Sequence, residues 1–218
     1  MAIPASLLYT GIIVPVSVLI PIGMAASKRK DADRPLKIIW YYLLLDCVVN
    51  VLAVLLANHK INNLPVLHVF TILEFILMSY FYLSVLKQET AGRIIKYLLV
   101  LFPVFCIVNF LFFQSIYQFN TYARPVEALI IMGCSLAYFA QSNDAETRWS
   151  LNPVNWINTG ILLYFSGALF IFSFSNLTVN EMTEKYYAIN ILMWNIHATL
   201  LLIMYLLIAF GFSKCRKQ

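Results

Sequence analysis

Residues 188–212 read AINILMWNIHATLLLIMYLLIAFGF, twenty-five positions without a single Asp, Glu, Lys or Arg. As a helix rising ~1.5 Å per residue, this stretch reaches ~37 Å, enough to cross ~30 Å of hydrocarbon. Its apolar residues run continuously instead of alternating, which fits a membrane helix and not a strand of a barrel. Six further stretches share that character: residues 7–26, 37–57, 66–86, 96–113, 124–141 and 157–175. Together they tile the chain almost end to end. Composition points the same way, with 61% hydrophobic, 15% aromatic and only 11% charged residues and a mean hydropathy of +0.79. A soluble domain carries roughly 25% charged residues. The expected fold is all-α: a polytopic membrane protein with one seven-helix transmembrane domain spanning residues 1–218. Pro15 and Pro21 predict kinks in the first helix, and Pro103 and Asn109 interrupt the fourth.

Orientation follows from where the basic residues fall. Lys28, Arg29, Lys30, Arg34, Lys37, Lys87, Arg93, Lys96, Arg148, Lys214, Arg216 and Lys217 all fall on one side, twelve of fifteen. Only Lys60, Arg124 and Lys185 fall on the other. The expectation is a multi-pass protein of the cell (inner) membrane, N-terminus outside and C-terminus inside. The first span has no positive charge before its apolar core, whereas Lys28–Lys30 follow it, so it reads as a retained helix and not a signal peptide. The net charge of +5 then reflects topology and contact with anionic membrane lipids, not nucleic-acid binding.

Ionisable and polar groups at membrane depth are costly, so each is a functional candidate. Counted from the outer helix ends, Asn50 lies ~10 Å down, Asp46 ~16 Å, Glu74 ~12 Å and His197 ~13 Å. Asp46 and Asn50 share a face, as do Thr71 and Glu74, with His68 a turn above them. Asn190, Trp194 and His197 form one stripe on the last helix. Asn58, His59, Asn62 and Asn63 crowd the second loop, while Arg124 and Glu127 open the fifth helix and can pair across one turn. The candidate pocket therefore comprises Asp46, Asn50, His59, Asn63, His68, Glu74, Arg124, Glu127, Asn190, Trp194 and His197, a vestibule opening outward. With no Lys or Arg expected at the depth of the two carboxylates, His197 is the one candidate cation there. The same polar residues are also what holds membrane helices together.

Specific chemistries are narrowed by the residue list. The last helix has no lysine, which excludes a retinal pigment. Seven glycines, never clustered, offer no phosphate-binding loop or nucleophile elbow, so nucleotide chemistry is not expected. His68, Glu74 and His197 are the candidate metal ligands, without a supporting local motif. Cys47, Cys106, Cys134 and Cys215 have no CxxC spacing and read as packing residues.

The stretch YYLLLDCVVNVLAVLLANHKINNLPVLHVFTILEFIL, residues 41–77, resembles a group of seven-helix bacterial membrane proteins associated with neighbouring sensor kinases. The shared pattern is an Asp–Asn pair, an N-H-x-I-N-N-L loop, then His and Glu. The resemblance implies a membrane sensing role resting on Asp46, Asn50, His59, Asn63, His68 and Glu74. Three functions stay open: a ligand sensor or signal transducer, a lipid-headgroup hydrolase or transferase, and a small-solute or proton-coupled transporter. A sensor this small needs a membrane or cytoplasmic signalling partner, for which the basic inner loops and residues 143–156 are the expected contact, with Trp149 and Trp156 as interfacial anchors.

Overall fold

The computed structural model describes residues 5–141, 148–180 and 184–215. Residues 143–147 of the expected inner loop, and Arg216 and Lys217, lie outside the described residues. Among those described there are no strands, and seven helices are long and apolar enough to span a membrane. They are α1 (Ser6–Ser27), α2 (Arg34–Asn58), α3 (Leu64–Val85), α4 (Glu89–Phe112), α5 (Ala123–Gln141), α6 (Pro153–Asn180) and α7 (Glu184–Ser213). Helices α4, α6 and α7 extend past the predicted apolar stretches. Hydropathy marks where lipid begins, whereas backbone hydrogen bonding continues into the polar flanks. We call the end bearing residues 59–63 and 114–122 the N-terminal face, and the other the C-terminal face.

Local chemistry sets several helix starts. Pro35, Pro65 and Pro125 sit in the first turns of α2, α3 and α5, and Pro153 opens α6, where a missing N–H costs nothing. Asn120 Oδ1 accepts the Ala123 N–H at 3.0 Å, and Asn62 Oδ1 accepts the Leu64 N–H at 2.9 Å. Helix α2 ends with Lys60 at φ 58°. The Ile61 N–H then reaches Leu56 O at 2.9 Å and the Lys60 N–H reaches Ala57 O at 3.0 Å, a Schellman closure. The regular hydrogen bonding of α1 is interrupted at Val18, where Pro21 has no N–H to offer the Ser17 carbonyl. A π-turn, Tyr9–Ile13, precedes it.

Helices α6 and α7 form the most extensive contact of the bundle. Small residues permit it, as expected where lipid supplies no hydrophobic drive between helices. A Cβ on Gly211 would stand 2.8 Å from the Pro153 carbonyl oxygen, and one on Gly160 would stand 3.2 Å from that of Met204. Helix α4 is peripheral, with Tyr97, Leu111, Phe112 and Phe113 exposed on its outer side, consistent with facing lipid. Trp149 and Trp156 stack at 5.1 Å on the C-terminal face.

Toward that face a polar clasp joins α3, α5 and α6. Tyr82 donates to Asn158 Oδ1 at 2.9 Å, Asn158 Nδ2 donates to Ser135 O at 3.2 Å, and Tyr138 donates to Asn155 Oδ1 at 2.7 Å. Gln141 Nε2 donates to Val85 O at 2.8 Å while its Oε1 accepts the Lys87 N–H at 2.9 Å. These side chains spend their hydrogen bonds on one another and on backbone groups of α3, α5 and the turn at Lys87, so the clasp is structural.

Candidate functional site

The other half of the bundle holds a cavity of about 360 Å³, walled by every helix but α4 and covered by residues 114–122, at the lower end of small-molecule sites. Seven of the eleven expected residues line it: Asp46, Asn50, His68, Glu74, Arg124, Trp194 and His197. Four do not. His59 is exposed at the end of α2. Asn63 precedes α3 and donates to Ala53 O at 3.3 Å. Asn190 is half-buried away from the cavity, and Glu127 is buried behind Arg124. For Asn190 and Glu127 the helix position was legible but the azimuth was not.

The floor is a single ionic network. Arg124 Nη1 donates both to Glu74 Oε2 and, at 2.7 Å, to Glu127 Oε2. Its Nη2 donates to the Tyr164 hydroxyl at 3.2 Å, which lies 3.2 Å from His197 Nε2. Tyr42 donates to the other Glu74 oxygen at 3.0 Å. One chain of contacts thus links α2, α3, α5, α6 and α7. Beside it, Tyr205 donates to Asp46 Oδ2, and Asn50 Nδ2 donates to Asp46 Oδ1 at 3.2 Å.

Arg124 corrects the expectation that no Lys or Arg reaches this depth. Gln141 ties α3 and α5 together at the C-terminal face. From that level Glu74 lies ~16 Å and Arg124 ~26 Å along their helices, leaving ~10 Å for a long side chain to span. An interfacial arginine ordinarily snorkels toward water. Arg124 instead turns inward, because two carboxylates and aromatic faces replace its hydration. Its guanidinium carbon lies 5.7 Å from the Phe70 ring centre and 5.2 Å from that of Phe172, within cation–π range. It is 6% exposed, and both glutamates are fully buried.

The expected metal set of His68, Glu74 and His197 does not form. Each is committed elsewhere: His68 Nε2 to Gln118 O at 2.9 Å, Glu74 to Arg124 and Tyr42, His197 to Tyr164. No group of three His, Cys, Asp or Glu among the described residues could hold a metal ion. Neither His68, on the Gln118 carbonyl, nor His197, on the Tyr164 hydroxyl, is hydrogen-bonded to a carboxylate in these contacts.

The chain matches no protein-family model, no curated protein and no solved structure. The site is therefore described from its geometry. It adds residues that sequence reasoning passed over: Tyr42, Tyr164 and Tyr205, and the covering residues Gln118, Phe119 and Asn120. The tyrosines gave no signal, being three of thirteen in the chain. The loop gave a weak one, in that Gln114 to Asn120 is a polar run rich in hydrogen-bonding side chains. Its Gln114 and Asn120 are buried, and Phe119 stacks 5.3 Å from Trp194, so it folds over the cavity.

Proposed function

We propose that this protein is a small-molecule receptor of the cell membrane, taking its ligand from the N-terminal face and passing the binding event to a signalling partner on the C-terminal face. The observation that carries the reading is the network from Tyr42 through Glu74, Arg124 and Tyr164 to His197, because it joins five helices at the floor of one cavity. A ligand touching Glu74 or Arg124 exchanges contacts with several helices at once. It therefore favours whichever helix arrangement binds it better, which is the physical requirement for a switch. The basic-residue bias supports an outer N-terminal face, and the resemblance to proteins associated with sensor kinases supports a cytoplasmic partner. The basic loops at residues 28–37 and 87–96 and the 143–156 loop are the proposed contact.

Sensing is favoured over transport by the packing beneath the cavity. Leu43, Met78, Phe81 and Ile39 are all fully buried between the cavity and the C-terminal face, near the Tyr82–Asn158 clasp, which supports access from the N-terminal face alone. It is favoured over lipid-headgroup chemistry because neither histidine faces a carboxylate partner. The test is a thermal-shift screen of chemically diverse small molecules on the purified full chain, repeated on Asp46→Asn and Glu74→Gln. Both variants should fold, since Arg124 keeps Glu127 and Asp46 keeps neutral partners. Stabilising compounds should lose at least about tenfold in affinity, or ~1.4 kcal/mol. Compounds that stabilise all three proteins equally would remove the cavity from consideration.

A further inference from the structure

We infer that the cavity recognises an organic ammonium cation carrying an oxygen function at its other end, either a free amino alcohol or the headgroup of an amine phospholipid. The inference rests on the receptor reading above and names its ligand class. Charge is the first argument. Asp46, Glu74 and Glu127 stand against one guanidinium, and among the described residues Arg124 is the one Lys or Arg lining the cavity. That guanidinium is already committed to Glu74, Glu127 and Tyr164. Asp46, 6% exposed, has only the Tyr205 hydroxyl and the Asn50 amide as hydrogen-bond partners. An anion entering here meets carboxylates and an arginine that already gives three of its five N–H groups to Glu74, Glu127 and Tyr164. A cation meets an unmatched carboxylate.

The walls give a second argument. Phe70 and Phe172 line the cavity with the Arg124 guanidinium over their rings, Trp194 and Phe119 line it too, and aromatic faces carry the negative end of the ring quadrupole, the surface that quaternary and primary ammonium groups select.

The mouth gives a third, independent of charge. His68 and Asn120 both line the cavity, are 1% and 8% exposed, and each has a buried nitrogen without a partner, Nδ1 and Nδ2 respectively. Asn120 Oδ1 is already spent on the Ala123 N–H, so its free Nδ2 is a donor seeking an acceptor. His68 Nε2 faces the Gln118 carbonyl and must carry the hydrogen, which leaves Nδ1 as an acceptor. One donor and one acceptor at the mouth match a hydroxyl, and the donor alone matches an ester oxygen. By helix rise, Asp46 lies ~18 Å below the end of α2 and His68 ~6 Å below the start of α3. The cation therefore sits deep and the oxygen sits near the mouth.

The experiment uses the purified full chain and a pair of probes with one shape and different charge: choline and its neutral carbon isostere, 3,3-dimethylbutan-1-ol. Ethanolamine serves as the primary-amine probe. Calorimetry and thermal midpoint should register choline or ethanolamine and not the isostere. Asp46→Asn should weaken binding at least about tenfold with unchanged circular dichroism, and Asn120→Ala should weaken it several-fold while preserving the preference for the cation. Should Asp46→Asn fail to fold, Glu74→Gln replaces it, with the same loss expected. In nanodiscs, a higher midpoint in phosphatidylethanolamine than in phosphatidylglycerol, with no response to free amines, assigns the same chemistry to a lipid headgroup. Equal binding of choline and its isostere, or no response to either amines or the amine lipid, overturns the inference. A neutral or anionic compound that binds and is weakened by Asp46→Asn also overturns it, yet leaves the receptor reading standing.

Discussion

Arg124→Met keeps an unbranched apolar stem and deletes the guanidinium, stranding Glu74 and Glu127 against each other in the bundle. Three hydrogen bonds disappear, to Glu74, Glu127 and Tyr164. All three have the charged guanidinium as donor, and such bonds contribute about 1.5–3 kcal/mol each, giving roughly 4.5–9 kcal/mol if additive. Breaking a buried ion pair from one side typically costs about 3–5 kcal/mol, because the abandoned carboxylate keeps its desolvation penalty. We therefore expect a loss near 5 kcal/mol, and for a chain of this size a fall in thermal midpoint of about 10–20 °C. The matching control is the triple variant Arg124→Met, Glu74→Gln, Glu127→Gln, which removes all three charges together. It should recover more than half of the loss, since well-packed neutral groups replace buried ion clusters at little cost. Thermal midpoints of wild type, single and triple variants in one detergent decide the matter. A fall below about 5 °C for Arg124→Met, or a triple variant no better than the single, would refute the claim that Arg124 neutralises these two carboxylates.

Gly211→Ala should lower the midpoint by several degrees, as its Cβ would meet the Pro153 carbonyl at 2.8 Å and overpacking costs about 1–3 kcal/mol. Gly133→Ala, with nothing within 4 Å of the new Cβ, should be neutral or stabilising by up to about 1 kcal/mol; equal losses at both positions would contradict the tight α6–α7 contact. Lys60→Gly should raise the midpoint slightly, because φ 58° costs a non-glycine residue about 1 kcal/mol; a decrease would argue against the helix closure at Ile61. Reporter fusions at Gln88 and after Gln218 should read cytoplasmic and one at Lys60 should not, and the reverse pattern would invert the proposed membrane orientation and the direction of sensing.

Seven apolar helices were legible in the amino-acid string because transfer into hydrocarbon depends on composition along one dimension, whereas the polar ends of α4, α6 and α7 were not. Depth was legible too, since helix rise is constant: Asp46, Glu74 and His197 share a slab by counting alone, and all three line one cavity. Azimuth and side-chain direction were not legible. Asn190 lies on the same stripe as Trp194 and His197 yet misses the cavity, and His59 and Asn63 stay in the loop region. Tyr42, Tyr164 and Tyr205 became site residues only when helix packing turned them toward the carboxylates. Gly160 and Gly211 gained meaning only from how closely α6 and α7 approach. Arg124 is the sharpest case. Its helix position put it at the membrane boundary, where water would normally draw the guanidinium outward. The inward turn needed Glu74, fifty residues earlier, together with Phe70 and Phe172, and a contact between residues that far apart exists only once the bundle has closed.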